Sequence, residues 1–214
     1  MYGILIIDKP YGMTSHDVVN WLRRKYKQKK FGHTGTLDPN ATGVLVVLCG
    51  KSCKLLQFLS DTDKEYIGQI EFGKSTSTDD IWGEVEAEKE INLEFSFNDE
   101  LQKFVGKNHQ LVPKTSNKKV NGKKLMDYQR EGLEVTKVYS DIEIYSMEDL
   151  CDYRFRVACS SGTYVRSICR DLALHTNNLG CMKSLRRTKV GRFTIDQAQT
   201  LEDLETQENV LYTS

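Results

Sequence analysis

The chain interleaves short apolar runs with amphipathic stretches, and the spacing predicts alternating strands and helices. Met1–Ile7 is an apolar run stopped by Asp8-Lys9-Pro10, which reads as a strand ended by proline. Val18, Val19, Leu22 and Tyr26 then form a helical stripe behind Thr14-Ser15, with Ser15 expected as the N-cap and basic residues on the outer face. Gly43–Cys49 predicts a buried strand and Ser52–Leu59 a short helix. Lys64–Phe72 alternates, placing Tyr66, Gly68, Ile70 and Phe72 on one face of a strand. Gly73–Gly83 is polar and loop-like, and Glu84–Glu90 alternates acids with small apolar residues, as a soluble edge strand does. Helices are expected at Asn98–Val105, at Asn121–Glu131 with Gly132 as its C′ residue, and at Thr163–Leu174. Val135–Tyr145, Asp152–Ala158 and Val190–Ile195 are β-rich, and Leu201–Leu204 is a helical tail. The class is α+β, with a mixed, mostly antiparallel sheet flanked by helices and no internal repeat.

Composition adds little to that picture until charge is placed along the chain. The 214 residues suit one domain with a sizeable core, and 39% hydrophobic with 28% charged content is ordinary for a soluble protein. The longest apolar run, Val44–Cys49, is too short to span a bilayer, and the N-terminus lacks the basic n-region of a signal peptide, so the cytoplasm is expected. The formal charge is zero, yet the cations are segregated. Acid-free runs hold Arg23, Arg24, Lys25, Lys27, Lys29 and Lys30, then Lys114, Lys118, Lys119, Lys123 and Lys124, then Lys183, Arg186, Arg187, Lys189 and Arg192. The acids gather in Asp79–Glu100 and Glu202–Glu208. Such segregation fits either solvated faces or a basic surface for a polyanion. The six cysteines form no CxxC pair and no finger-like spacing with histidine, which points to reduced thiols and to no metal site.

Several chemical motifs fail. Gly50-Lys51-Ser52 follows an apolar strand as a phosphate-binding loop would, but the leading glycine is replaced by Leu45. No G-x-S-x-G elbow is present, and His16, His33, His109 and His175 are scattered. What remains is FGHTGTLDPNATGVL, residues Phe31–Leu45, where one acid, Asp38, stands before Pro39 among three glycines and three threonines. By itself this is an Asp-Pro turn or an active-site loop with one carboxylate.

The loop sits within a longer order of motifs. Gly3–Ser15 (GILIIDKPYGMTS), the basic helix and GHTGTLDPNATGVL resemble the N-terminal half of the TruB family of tRNA pseudouridine synthases. Asp63-Lys64-Glu65-Tyr66 is similar to that family's aspartate-lysine-x-tyrosine strand, and Gly73, Thr76, Thr78, Asp80 and Gly83 fall at the spacing of its G-x-x-T-x-T-x-D-x-x-G loop. CSSGTYVRSICRDL (Cys159–Leu172) and SLRRTKVGRF (Ser184–Phe193) resemble its S-x-G-T-Y-[IV]-R helix start and its closing L-R-R-T-x-x-G-x-F. The resemblance runs from residue 3 to about residue 204 in five ordered motifs.

It implies a pseudouridine synthase fold with an active-site cleft across the sheet, and isomerisation of uridine 55 in the T-loop of tRNA. That reaction needs one carboxylate and no cofactor or metal. By the match, Asp38 is the carboxylate, Arg166 its charge partner and Tyr66 the ring that stacks on uracil. His33, Gly32, Gly35, Lys9, Lys119 and Leu185 are the implied RNA-contacting residues, the glycines admitting close backbone approach. Two departures stand out. Gln110–Lys119 reads QLVPKTSNKK where the family has Q-x-P-P-x-Y-S-A-x-K, so that Val112, Thr115 and Asn117 differ. The chain also stops at Ser214, where longer members add an RNA-binding module, so a single monomeric catalytic domain without that module is expected. Action on another RNA, or a tRNA-folding chaperone role with dispensable catalysis, are the alternatives.

Overall fold

The computed structural model describes residues 2–206 of the chain. Met1 of the first expected strand and Glu208 of the second acidic cluster lie outside the described residues. In chain order the elements are β1 (Gly3–Lys9), α1 (Ser15–Lys25), β2 (Phe31–His33), β3 (Thr42–Cys49), a 3-10 segment (Gly50–Leu55) running into α2 (Leu56–Leu59), and β4 (Lys64–Phe72). There follow β5 (Lys74–Thr76), β6 (Val85–Glu88), α3 (Phe97–Gln102), β7 (Gly106–Leu111), β8 (Lys119–Val120), β9 (Lys123–Lys124) and α4 (Leu125–Arg130). The chain closes with β10 (Tyr139–Asp149), β11 (Arg154–Cys159), α5 (Val165–His175), β12 (Gly180–Val190), β13 (Phe193–Thr194), a 3-10 turn (Ile195–Gln197) and α6 (Leu201–Thr206). The described residues fall into two compact units, 2–67 with 184–206 and 68–183, and the divisions lie inside β4 and β12.

In the first unit β3 is the organising strand. It pairs antiparallel with β1 from Gly3↔Cys49 to Lys9↔Gly43, and with β2 from Phe31↔Cys49 to His33↔Val47. Its start runs parallel to β12, at Arg186↔Thr42 and Arg187↔Gly43, which makes the sheet mixed. The run Val44–Cys49 is fully buried because both faces are covered. One face packs Leu5, Ile7, Leu45 and Val47 against Val18, Val19 and Leu22 of α1 and Leu201 and Leu204 of α6. The other packs Ile6, Val44, Val46 and Leu48 against Val190, with Leu56 and Phe193 alongside.

In the second unit β10 pairs antiparallel with both β11 and β7, with a bulge between Ile144 and Ser146. The face Val165, Ile168, Cys169 and Leu172 of α5 is buried, as its spacing predicts. Small residues set how close that helix lies. A Cβ at Gly68 would come within 2.9 Å of Phe155 and 3.3 Å of Val165, and one at Gly180 within 2.6 Å of the Ala173 Cβ. Phe72, Phe95 and Phe97 ring Tyr153 with centroids 4.9–6.5 Å apart.

Several expectations need correction. The α1 cap is Thr14, whose hydroxyl accepts from Asp17 N while Asp17 reaches back to Thr14 N; Ser15 turns inward instead. The expected helix over Asn121–Glu131 begins only at Leu125. Before it, Asn121 (φ 50°) and Gly122 (φ 82°) make a two-residue turn joining β8 to β9, since both residues tolerate positive φ. Gly73–Gly83 holds β5, which pairs with the exposed β6. The strand expected over Val190–Ile195 is divided: Val190 ends β12, eleven residues long, and Phe193–Thr194 form β13, folded back on it.

Gly43 has φ +102°, and a Cβ there would lie 2.1 Å from the Arg187 carbonyl oxygen and 2.8 Å from its nitrogen. Gly43→Ala is therefore expected to cost at least about 2 kcal/mol through both strain and overlap. Urea unfolding of the variant checks this, and a midpoint unchanged from the parent would refute the close-approach argument.

Candidate active site

The Asp38 loop joins β2 to β3, and its shape follows from residues on either side of it in the chain. Leu37 and Ala41 are buried and anchor a turn in which Ala41 N donates to the Asp38 carbonyl at 3.0 Å. Ser15, the first residue of α1, holds the front of that turn: Leu37 N donates to its hydroxyl at 2.9 Å, and the hydroxyl lies 3.2 Å from the Leu37 carbonyl. Gly12 N reaches the Pro39 carbonyl at 2.9 Å. The KPYGMTS segment is thus the brace of the loop.

Two buried cations complete the brace. Lys9 is fully buried, and its ammonium donates to the carbonyls of Pro10 (2.9 Å), Met13 (2.6 Å) and Pro39 (3.1 Å). Arg187 is 2% exposed; its Nε donates to Val44 O at 2.7 Å, while its terminal nitrogens reach Thr36 O at 3.4 Å and Gly35 O at 3.1 Å. Each cation is matched by loop carbonyls, which is what makes its burial tolerable. Beside it Arg186 forms a two-point pair with Asp8, at 3.1 and 2.7 Å. Arg186 and Arg187, expected within a phosphate-binding run, are therefore engaged inside the first unit.

The electrostatics of the loop follow from this packing. Burial pushes the Lys9 ammonium down to about 8, against the opposing pull of Asp38 and with a smaller repulsion from Arg187. Burial, then Arg187, also lowers the His33 imidazole, against a hydrogen bond with the Gly35 backbone, so the ring is neutral at pH 7. Asp38 itself is half-buried. Tyr66, on β4, is 8% exposed, and Leu185, on β12, is half-buried. Gly32 lies against Leu56, where a Cβ would come within 2.7 Å of its side chain, so its smallness serves the fold. Gly35 has open space beyond Arg187 NH1 at 3.6 Å.

The second unit holds Arg166 and Lys119. Arg166 is the second residue of α5 and 6% exposed. Its NH1 donates to Thr78 O at 2.8 Å and to Thr115 Oγ1, and the Asp80 carboxylate lies 4.0 Å away. One turn later Arg170 pairs with Asp79 at 2.9 Å, so two adjacent acids meet two arginines on one helix face. Asp80 is in turn held by the Thr78 hydroxyl at 2.6 Å and by Trp82 N at 3.2 Å. The start of α5 is laced to the Gln110 stretch. Gln110 accepts from Tyr164 N at 2.8 Å and donates to Tyr164 O at 3.1 Å, and Ser167 Oγ donates to Leu111 O at 2.7 Å. Lys119 is exposed at the foot of the β8–β9 hairpin. Among the described residues no cluster of three or more His, Cys, Asp or Glu has the arrangement of a metal site.

Removing the Lys9 ammonium should take a charged donor from the Pro10 and Met13 carbonyls and leave the Pro39 carbonyl with Gly12 N. Lys9→Met is expected to destabilise the fold by about 2–4 kcal/mol. The sign with pH follows from linkage: the unfolded lysine keeps its proton to about 10.5 and the folded one to about 8. The parent's stability relative to the variant therefore rises between those pH values, because the unfolded state binds more protons there. Urea unfolding at pH 7 and pH 10 measures it; a gap that narrows with pH would refute the assignment.

Residues 23–165 match the model of the TruB family pseudouridylate synthase N-terminal domain, and residues 166–212 match that of the tRNA pseudouridylate synthase B C-terminal domain. The tRNA pseudouridine synthase B of Alkaliphilus oremlandii is 42% identical over 98% of this chain and 72% of its own length. That of Caldicellulosiruptor saccharolyticus is 42% identical over 94% of this chain and 72% of its own length. Among solved structures, a Cbf5–Nop10–Gar1 complex contains a chain with TM-score 0.72 and 28% identity, covering 94% of this chain. An H/ACA RNP bound to a substrate RNA containing 2'-deoxyuridine gives 0.70 and 27%, also over 94% of this chain. The chain spans about half the length of those two solved chains, 53% and 52%. With the family model matched over most of its residues, the chain belongs to the TruB family of pseudouridylate synthases.

Proposed function

We propose that this protein converts uridine 55 in the T-loop of tRNA to pseudouridine, with Asp38 as the catalytic carboxylate. The reaction breaks the bond between uracil N1 and the ribose C1′, turns the base and joins C5 to C1′; the C5 proton is given up to solvent and N1 takes up a proton in its place. Reactant and product have the same atoms and electrons, so the balance calls for no oxidant, reductant or phosphoryl donor. A single carboxylate, adding to the nucleotide or removing a proton from the sugar, suffices.

The observation that carries the reading is the loop itself. Asp38 stands half-buried on a turn whose neighbours Leu37 and Ala41 are buried and whose carbonyls are held by Lys9 and Arg187. A carboxylate on a rigid backbone is preorganised for a transition state. Arg166 is the second charged group of the proposed chemistry, Tyr66 the aromatic partner of the uracil, and Leu185 an apolar contact. The target base must leave its stack to react, and a neutral His33 ring, with Gly32 and Gly35 beside it, suits contact with the opened RNA loop. Lys119 and its exposed neighbour Lys118 would meet phosphates, which makes binding salt-dependent. The names of the bacterial relatives support tRNA as the substrate. No described helix is long and apolar enough to cross a membrane.

The test uses tRNA carrying tritium at uracil C5, with release to water followed over time. The parent should release label from the T-loop uridine, and Asp38→Asn should slow release by at least about 10²-fold while tRNA binding persists. Unchanged release by the variant refutes the role of Asp38. Release from another RNA but not from tRNA moves the substrate, and tight tRNA binding with no release favours an RNA-folding role.

A further inference from the structure

We infer that Thr115 is a positioning residue: its hydroxyl fixes the orientation of the Arg166 guanidinium for the reaction. The inference rests on the proposed catalytic part of Arg166 and adds the group that aims it.

A buried guanidinium attached to a long side chain needs at least two fixed acceptors to hold its plane. On Arg166 a single nitrogen, NH1, makes both bonds described above, one to Thr78 O at 2.8 Å and one to Thr115 Oγ1. The two acceptors come from different segments, so together they set the rotation of the group as well as its place. The Asp80 carboxylate, at 4.0 Å, supplies attraction but lies beyond hydrogen-bond reach and leaves the orientation open.

Both acceptors are themselves immobile. The Thr78 hydroxyl donates to Asp80 Oδ1 at 2.6 Å, and Gly83 lies so close that a Cβ on it would meet Thr78 Oγ1 at 2.3 Å and Thr78 N at 2.8 Å. Thr115 sits in a turn closed by Ser116 N donating to Pro113 O at 3.2 Å, between buried Pro113 and buried Ser116. That turn is tied behind by the Gln110–Tyr164 pair and ahead by Met126 N donating to Ser116 O at 3.1 Å. Thr115 is thus a neutral hydroxyl held at a set place beside the one nearly buried arginine at the start of α5. A valine there keeps the shape of the side chain and removes only the acceptor.

The experiment compares Thr115→Val, Thr115→Ser and Arg166→Lys with the parent in the tritium-release assay, with kcat, KM and melting temperature measured for each. Thr115→Val is expected to lower kcat about tenfold, the scale of one hydrogen bond to a charged group, with KM and melting temperature close to the parent. Thr115→Ser restores the hydroxyl and should recover most of kcat. Arg166→Lys keeps the charge but loses the planar fork, and should lower kcat at least as far. If Arg166→Lys is impaired while Thr115→Val turns over like the parent, the role of Thr115 is overturned and that of Arg166 stands. If Thr115→Ser fails as badly as Thr115→Val with a lowered melting temperature, Thr115 is structural and the inference falls. If Arg166→Lys is unimpaired, the catalytic reading of Arg166 fails and takes the inference with it.

Discussion

The burial of two cations beneath one loop is the constraint on which the first unit depends. Lys9 and Arg187 come from β1 and β12, far apart in the chain; Arg187 spends its donors on Gly35, Thr36 and Val44, and Lys9 ties Pro39 of the same segment to the carbonyls of Pro10 and Met13. A loop rich in glycine and threonine has little apolar surface to pack and would otherwise be mobile. Charged donors to backbone carbonyls supply the missing rigidity, and they do so without placing another acid beside Asp38. The cost is that neither cation can be lost singly without taking a charged donor from several backbone carbonyls. The parallel pairing of Arg187 with Gly43 serves the same end, since only a residue without Cβ lets β12 come close enough.

A comparable economy holds in the second unit. The start of α5 has no side-chain cap, and its first turn is anchored instead by Gln110, which both donates to and accepts from the Tyr164 backbone. The helix then presents Arg166 and Arg170 to the loop that carries Thr78, Asp79 and Asp80. Burial raises the Asp79 carboxyl, while Arg170 and, less strongly, Arg166 pull it back down. The ion pair with Arg170 thus offsets part of what burial costs the Asp79 carboxylate.

Much of this was legible in the residues. Lys64–Phe72 alternates as expected from end to end, and the buried face of α5 is the one its spacing marks. The motif order alone marks the loop between β2 and β3 and the helix that carries Arg166. Other parts were hidden for physical reasons. β12 reads GCMKSLRRTKV, and its charges mask a strand because the burial of Arg187 depends on carbonyls contributed by distant residues. Lys9, implied by the resemblance to contact RNA, is fully buried, and its burial was hidden for the same reason, as its partners lie across a turn and a loop. The β8–β9 hairpin was signalled by Asn121-Gly122, but the apolar spacing that follows drew the helix too far forward. The part played by Thr115 has no sequence signature, since a lone threonine in a polar turn is ordinary.

The adjacent aspartates 79 and 80 have a consequence for how this protein can change over time. Each acid serves a different arginine, and those arginines stand one helical turn apart. The arrangement works as a vernier: deleting or inserting one residue upstream in the loop hands each acid to the wrong cation or to none. Individual side chains around the pair can be exchanged, as the Gln110–Lys119 stretch already illustrates. The length of the loop cannot, and drift in this lineage should run through replacements there while gaps accumulate elsewhere.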